Sequence, residues 1–114
     1  MNIYLNAGAM DVASIGMAVT ANNIANMNTD GFHASSARYA TGPGGQGVQL
    51  AEIREDASPG APVWHPSSFA VEASNTDLNR EMVNMIVNER LYQANAAAIS
   101  TYEGMLGTVL DIVT

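Results

Sequence analysis

Hydrophobic positions along this chain fall into two helical seams, separated by a segment with no helical period. From Leu78, alternating steps of four and three give Leu78, Met82, Met85, Glu89, Tyr92, Ala96, Ile99, Glu103, Leu106, Leu110 and Val113. Only two glutamates interrupt a coiled-coil spacing sustained over about five heptads, which predicts one long helix from residue 74 onward. Ser74, Asn75, Thr76 and Asp77 are all capping types. Asp77 and Glu81 put negative charge where the helix dipole favours it. Apolar surface also spreads off the seam, through Val83, Ile86, Val87, Leu91, Ala94, Ala97, Ala98, Tyr102, Met105, Val109 and Ile112. Charges are sparse, and no Glu stands four residues ahead of an Arg to support a solvated helix. A helix apolar on several faces must be covered on several faces. At about 1.5 Å per residue it would run about 54 Å, more than one small chain can surround. The expected cover is other copies or other subunits.

The second seam spans residues 3 to 28, as Ile3, Ala7, Met10, Ser14, Met17, Ala21 and Ile24, broadened by Val12, Ile15 and Val19. Gly8 and Gly16 each cost about 1 kcal/mol relative to Ala inside a helix. Asn22, Asn23, Asn26 and Asn28 are poor helix formers too, so packing on the C-terminal helix must hold this one. It ends at Asn28-Thr29-Asp30-Gly31-Phe32, where Gly31 suits a left-handed turn. Between residues 33 and 73 the pattern changes. Residues 41–47 (TGPGGQG) form a breaker, and Val48 to Arg54 reads as a short strand whose alternation slips after Leu50, the mark of a bulge or an edge. Ser58-Pro59-Gly60 is a turn signal, and Val63-Trp64-His65 and Phe69-Ala70-Val71 are short extended candidates around Pro66. The expected fold is mainly α. Two long helices form an antiparallel coiled-coil-like hairpin with a small β-hairpin or irregular insert. Its parts are 1–32, 33–73 and 74–114, together one domain. Such a hairpin would bring the termini together.

Composition narrows the function classes. The 114 residues carry a net charge of −7, with four basic residues, all Arg. That argues against nucleic acid, whose binding needs a basic footprint, and against an anionic membrane surface. There is no cysteine, hence no disulfide framework and no thiolate chemistry. The N-terminal stretch lacks a basic region followed by a compact apolar core, so it does not read as a cleavable secretory signal. No uninterrupted run reaches the ~18 apolar residues of a membrane span, so no direct membrane insertion is expected.

Candidate chemistry is thin. The amides at 22 to 28 read as caps and register-setting groups, with a polar-ligand site the lesser alternative. His33 and His65 have no second His or Cys at ligand spacing. Gly42 to Gly47 has the glycine spacing of a phosphate loop, yet Val48 stands where the lysine must be. Glu89 and Glu103 lie two heptads apart, about 20 Å along a helix, too far for joint acid–base work. They are expected to meet Arg or amide groups of neighbouring subunits. Met10, Met17, Met82, Met85 and Met105 are adaptable packing groups. Trp64 either anchors the insert on a neighbour or fills a satellite core. No catalytic residue, metal or cofactor is expected.

Two motifs are recognisable beyond this chemistry. The run Asn22-Asn23-Ile24-Ala25-Asn26, continued by Thr29, Gly31 and Phe32, resembles the N-terminal signature of bacterial flagellar rod and hook axial proteins. The run Asn75 to Leu78, then Glu81, Met82, Met85 and Ile86, then Tyr92, Ala94 and Asn95, resembles the same family's C-terminal signature. Ile99, Leu106 and Leu110 continue its seam. The short middle segment, with Gly47-Val48 to Ile53 and Asp56-Ala57-Ser58-Pro59, looks most like the proximal-rod C-type members. The insert is shorter than is usual among them.

The resemblance implies a structural subunit of the flagellar basal-body rod, the shaft crossing the periplasm. It implies export through the flagellar type III apparatus without a cleaved signal, and terminal helices that pack with copies of themselves and other rod proteins. Both signatures would then be assembly elements. The free subunit would order its ends only on incorporation. The alternative reading is a free-standing helical adaptor or chaperone-like protein-binding module that shares the two-helix pattern.

Overall fold

The computed structural model describes residues 3–65 and 68–113. Pro66 and the side chains of His65, Phe69, Ala70 and Val113, all named above, lie outside the described residues. Helix α1 runs Ile3–Ala25 and helix α2 runs Leu78–Val113. Between them strand β1 (Ser35–Thr41) pairs antiparallel with β2 (Val48–Glu55), and β3 (Pro62–His65) with β4 (Ser68–Glu72). The mainly helical hairpin with a small β insert is thus as expected, although the insert holds two hairpins. The molecule measures 77 × 25 × 17 Å, with a radius of gyration of 20.0 Å. A compact chain of this length would have about 13 Å, so the fold is a rod.

Local signals act as their chemistry dictates. Asp77 is the cap of α2, its Oδ1 accepting from Asn79 N at 3.1 Å and Arg80 N at 3.4 Å. Gly31 turns with φ 75°, in the region a side chain disfavours. Tyr39 pairs with Leu50 and Arg38 with Glu52, so Ala51 bulges where the alternation slips. The 42–47 breaker becomes a loop closed by Gly42 N donating to Gly47 O at 3.0 Å.

Four expectations need correction. The N-terminal helix ends at Ala25 rather than near residue 28, because Met27 N and Thr29 N bond three residues back, to Ile24 O and Asn26 O, instead of four. Strand β1 was not foreseen. Its sequence SSARYAT has little strand propensity, and pairing with β2 creates it. The free ends of the helices do not meet: α2, at 36 residues, outruns the 23 of α1 by 13, about 20 Å. Within that extra length every residue of the stretch 103–112 is exposed.

The fourth correction concerns the core. The buried line of α1 is Ala13, Gly16, Thr20 and Asn23, one position off the larger Met10–Ser14–Met17–Ala21–Ile24 seam. On α2 the inward positions are Glu81, Met85, Asn88, Asn95, Ala96, Ala98, Ile99 and Tyr102, so the seam keeps Met85, Ala96 and Ile99 and takes Glu81 and Asn88 in place of Met82 and Glu89. Small residues let the helices and β1 approach closely. A Cβ on Gly16 would stand 2.5 Å from Tyr39 Oη and 2.8 Å from Asn88 Oδ1. Among the described residues the buried hydrophobic side chains are Ala13 and Ala34 alone. Gly16→Val should therefore destabilise the chain by about 1–3 kcal/mol through overpacking, read as a lower urea midpoint at unchanged slope. A wild-type midpoint would show that the Tyr39–Gly16–Asn88 contact does not matter.

Candidate assembly surface

The two signatures meet at one junction. Asn23, 1% exposed, donates through Nδ2 to Ser35 O at 2.7 Å and accepts from Ser35 N through Oδ1 at 2.9 Å. One residue back, Ala34 N donates to Asn75 Oδ1 at 2.6 Å, while Asn75 Nδ2 donates to Asp56 O at 2.9 Å and Ser58 O at 2.8 Å. Backbone bonds close the same knot: Gly31 N to Glu72 O at 2.7 Å, Asn75 N to Phe32 O at 3.2 Å and Asp56 N to Ala34 O at 2.8 Å. One strand of chain, residues 31–35, is gripped by amides from both ends of the sequence. Asn26 donates to Asn22 O and accepts from Thr29 Oγ1, which winds the helix into the turn. Of the amides at 22 to 28, Asn23 ties the helix to residue 35 and Asn26 bonds across the turn.

Titratable groups at the junction serve the same turn. Ser58 N donates to Asp56 Oδ1 at 2.9 Å, and this bond holds the Asp56 carboxyl below its ordinary value, helped by the Ser58 hydroxyl and by the charges of Arg80 and His33. His33 Nδ1 lies 2.8 Å from Asp56 O and, facing a carbonyl, is the donor. His33 is thereby a structural group. Trp64 is 72% exposed and fills no satellite core. Glu89 accepts from Gln93 of its own helix at 3.2 Å.

The remaining signature positions divide by face. Asn23, Asn75 and Glu81 point inward, with Ile24, Asn26, Phe32, Met85, Asn95 and Ile99 half-buried. Asn22, Ala25, Thr29, Gly31 and Ala94 are exposed. Leu78, Met82, Ile86, Tyr92, Leu106 and Leu110 are exposed as well, joined by Val83, Val87, Leu91, Met105, Val109 and Ile112. Large apolar side chains therefore stand outside while small and polar ones are packed inside. Sequence reasoning missed Ala13, Gly16, Thr20 and Ser35. The small-residue spacing of three, four and three from Ala13 to Asn23 is the signal that could have found them.

By length and composition α1 is also long and apolar enough to cross a bilayer, which a count of uninterrupted apolar residues did not register. In the fold its Ala13–Asn23 line packs against α2 and β1 instead.

Two long helices around a small β insert make the chain a helical hairpin. Comparison with known proteins is more specific. Residues 3–33 match the family described as flagella basal body rod protein, and residues 67–112 match the flagellar basal body rod FlgEFG protein C-terminal family. The flagellar basal-body rod protein FlgC of Yersinia enterocolitica is 32% identical over 129 aligned positions, covering 98% of this chain and 96% of the relative. FlgC of Bacillus subtilis is 26% identical, covering 97% of this chain and 95% of the relative. The flagellar hook protein FlgE of Escherichia coli is 51% identical over 43 residues, 38% of this chain, which spans only 11% of that much longer protein. This chain belongs to the flagellar basal-body rod protein family, a family of structural rather than catalytic proteins.

Two predictions follow from the junction. Asn75→Ala should cost about 1–3 kcal/mol in urea unfolding by orphaning Ala34 N–H, and Asn75→Asp should fare no better, since a carboxylate would face two carbonyls. A neutral Asp variant would dissolve this account. Asp56, with a lowered folded-state pKa, supports its turn above the ordinary carboxylate value of 3.8 and loses that support as pH falls through the folded value. Carbon-detected NMR titration should place the Asp56 midpoint below 3.8, returning toward 3.8 when Ser58 is replaced by Pro, which removes both donors.

Proposed function

We propose that this chain is a structural subunit of the proximal flagellar basal-body rod, assembling through its terminal helices with copies of itself and with other rod proteins. It is exported by the flagellar type III apparatus without a cleaved signal and sits in the periplasm-spanning rod, with no membrane insertion. The observation that carries this reading is the exposed apolar surface of α2, which runs from Leu78 to Tyr92 and again from Met105 to Ile112, the second stretch projecting beyond the end of α1. Fully covering a side chain of this kind is worth about 1.5–3 kcal/mol, and these are already about half covered, so each contributes roughly 1 kcal/mol on assembly. The isolated chain, whose described core has only two buried alanines, gains much of its order from such cover. Incorporation is then coupled to folding of the helix ends. Axial packing of this sort needs a heterologous contact, in which one face of a subunit meets a different face of the next and the array continues.

The test is a Leu106→Asp, Val109→Asp double variant, scored by motility and by imaging purified basal bodies. Buried charge on the face should leave cells non-motile and basal bodies stopped short at the rod. The variant subunit should still reach the export gate. Normal swimming with complete rods would overturn the rod reading and favour the adaptor.

A further inference from the structure

Beside the exposed face of α2 lies a pocket of about 180 Å³, walled by α1, β1 and α2. Glu81 and Asn88, at 5% and 8% exposure, line it with Thr20, Asn84, Val87 and Leu91. Neither Glu81 nor Asn88 makes a side-chain hydrogen bond or ion pair among the described residues, yet the pocket gives their polar atoms an outlet. A carboxylate with this narrow an access to water, and no partner of its own among the described residues, is a ready acceptor for a cation that brings several donors. The lining offers the Glu81 carboxylate, the amide oxygens of Asn84 and Asn88 and the hydroxyls of Thr20, Ser35, Ser36 and Tyr39 as acceptors, beside apolar side chains that suit the flat face of a guanidinium. Its mouth carries Val87 and Leu91, both exposed and part of the α2 face.

We propose that this pocket receives the guanidinium of Arg90 from a neighbouring copy of the chain. The chain has four arginines and no lysine. Arg38 and Arg54 are both engaged by Glu52 of the insert, at 3.3 and 3.6 Å, and Arg80 lies close enough to Asp56 to act on its charge. Arg90 makes no ion pair among the described residues and is exposed in the middle of α2. In a heterologous contact each copy donates one Arg90 and receives one, so a single pair repeats along the array. The inference rests on the rod reading, adding a polar register pin to its apolar face.

Sedimentation equilibrium of the full chain tests it, with wild type, Glu81→Gln, Arg90→Gln and the double variant. Each single variant should weaken self-association roughly tenfold to a hundredfold, the double variant no further, while monomer melting of Glu81→Gln stays at or above wild type. The proposal is overturned if Arg90→Gln associates like wild type, if the two losses add fully, or if wild type stays monomeric at every concentration. It is also overturned if Glu81→Gln only lowers the melting temperature, which would make Glu81 a structural group. If Leu106→Asp, Val109→Asp abolishes association while the Glu81 and Arg90 variants do not, the pin fails and the rod reading stands.

Discussion

The helices of this protein are joined through their smallest and most polar side chains, and the rest of the structure depends on that choice. Ala13 and Gly16 allow α1, β1 and α2 to close to contact, and Tyr39 and Asn88 occupy the space a Cβ would need. Larger residues on either line would hold the elements apart. The cost is a thin core, since contact among small groups buries little apolar area. Directional bonds compensate. Asn23 and Asn75 satisfy the backbone of residues 34 and 35 from two sides, and an amide pair of this kind tolerates no slip in register.

What is saved for the outside is as informative as what is spent inside. Methionine, valine, isoleucine and leucine along α2 face solvent over most of its length. A monomer rarely keeps so extended an apolar face, and the proposed rod assembly would cover it. The insert adds stiffness at one end only, where it ties the two helices together. The other end, beyond residue 102, is bare helix.

Several features were legible in the residues because they depend on neighbours in sequence. The 3.5-residue period, the Asp77 cap, the Gly31 turn, the slip at Ala51 and the two terminal signatures are of this kind. Each is set by local backbone chemistry; the cap, the turn and the slip stand where the pattern placed them, while the period gave the helices but not their buried faces. The amides of the N-terminal signature were read as register-setting groups, although their partner, Ser35, could not be named. It lies across a turn whose path depends on contacts made by the other end of the chain.

By itself, then, the sequence determined two long helices, their order, their caps, the bulged insert and the family. Tertiary structure decided which face of each helix is inside. Two seams one position apart, such as Met82–Glu89 and Glu81–Asn88, share the same period, and both helices carry apolar residues on several faces. Periodicity cannot rank such faces. Close approach at Gly16, bonding at Asn23 and the arrival of β1 can, because they act between residues distant in the chain. The larger seam would bury more apolar area, yet the close contacts between distant residues leave it on the outside.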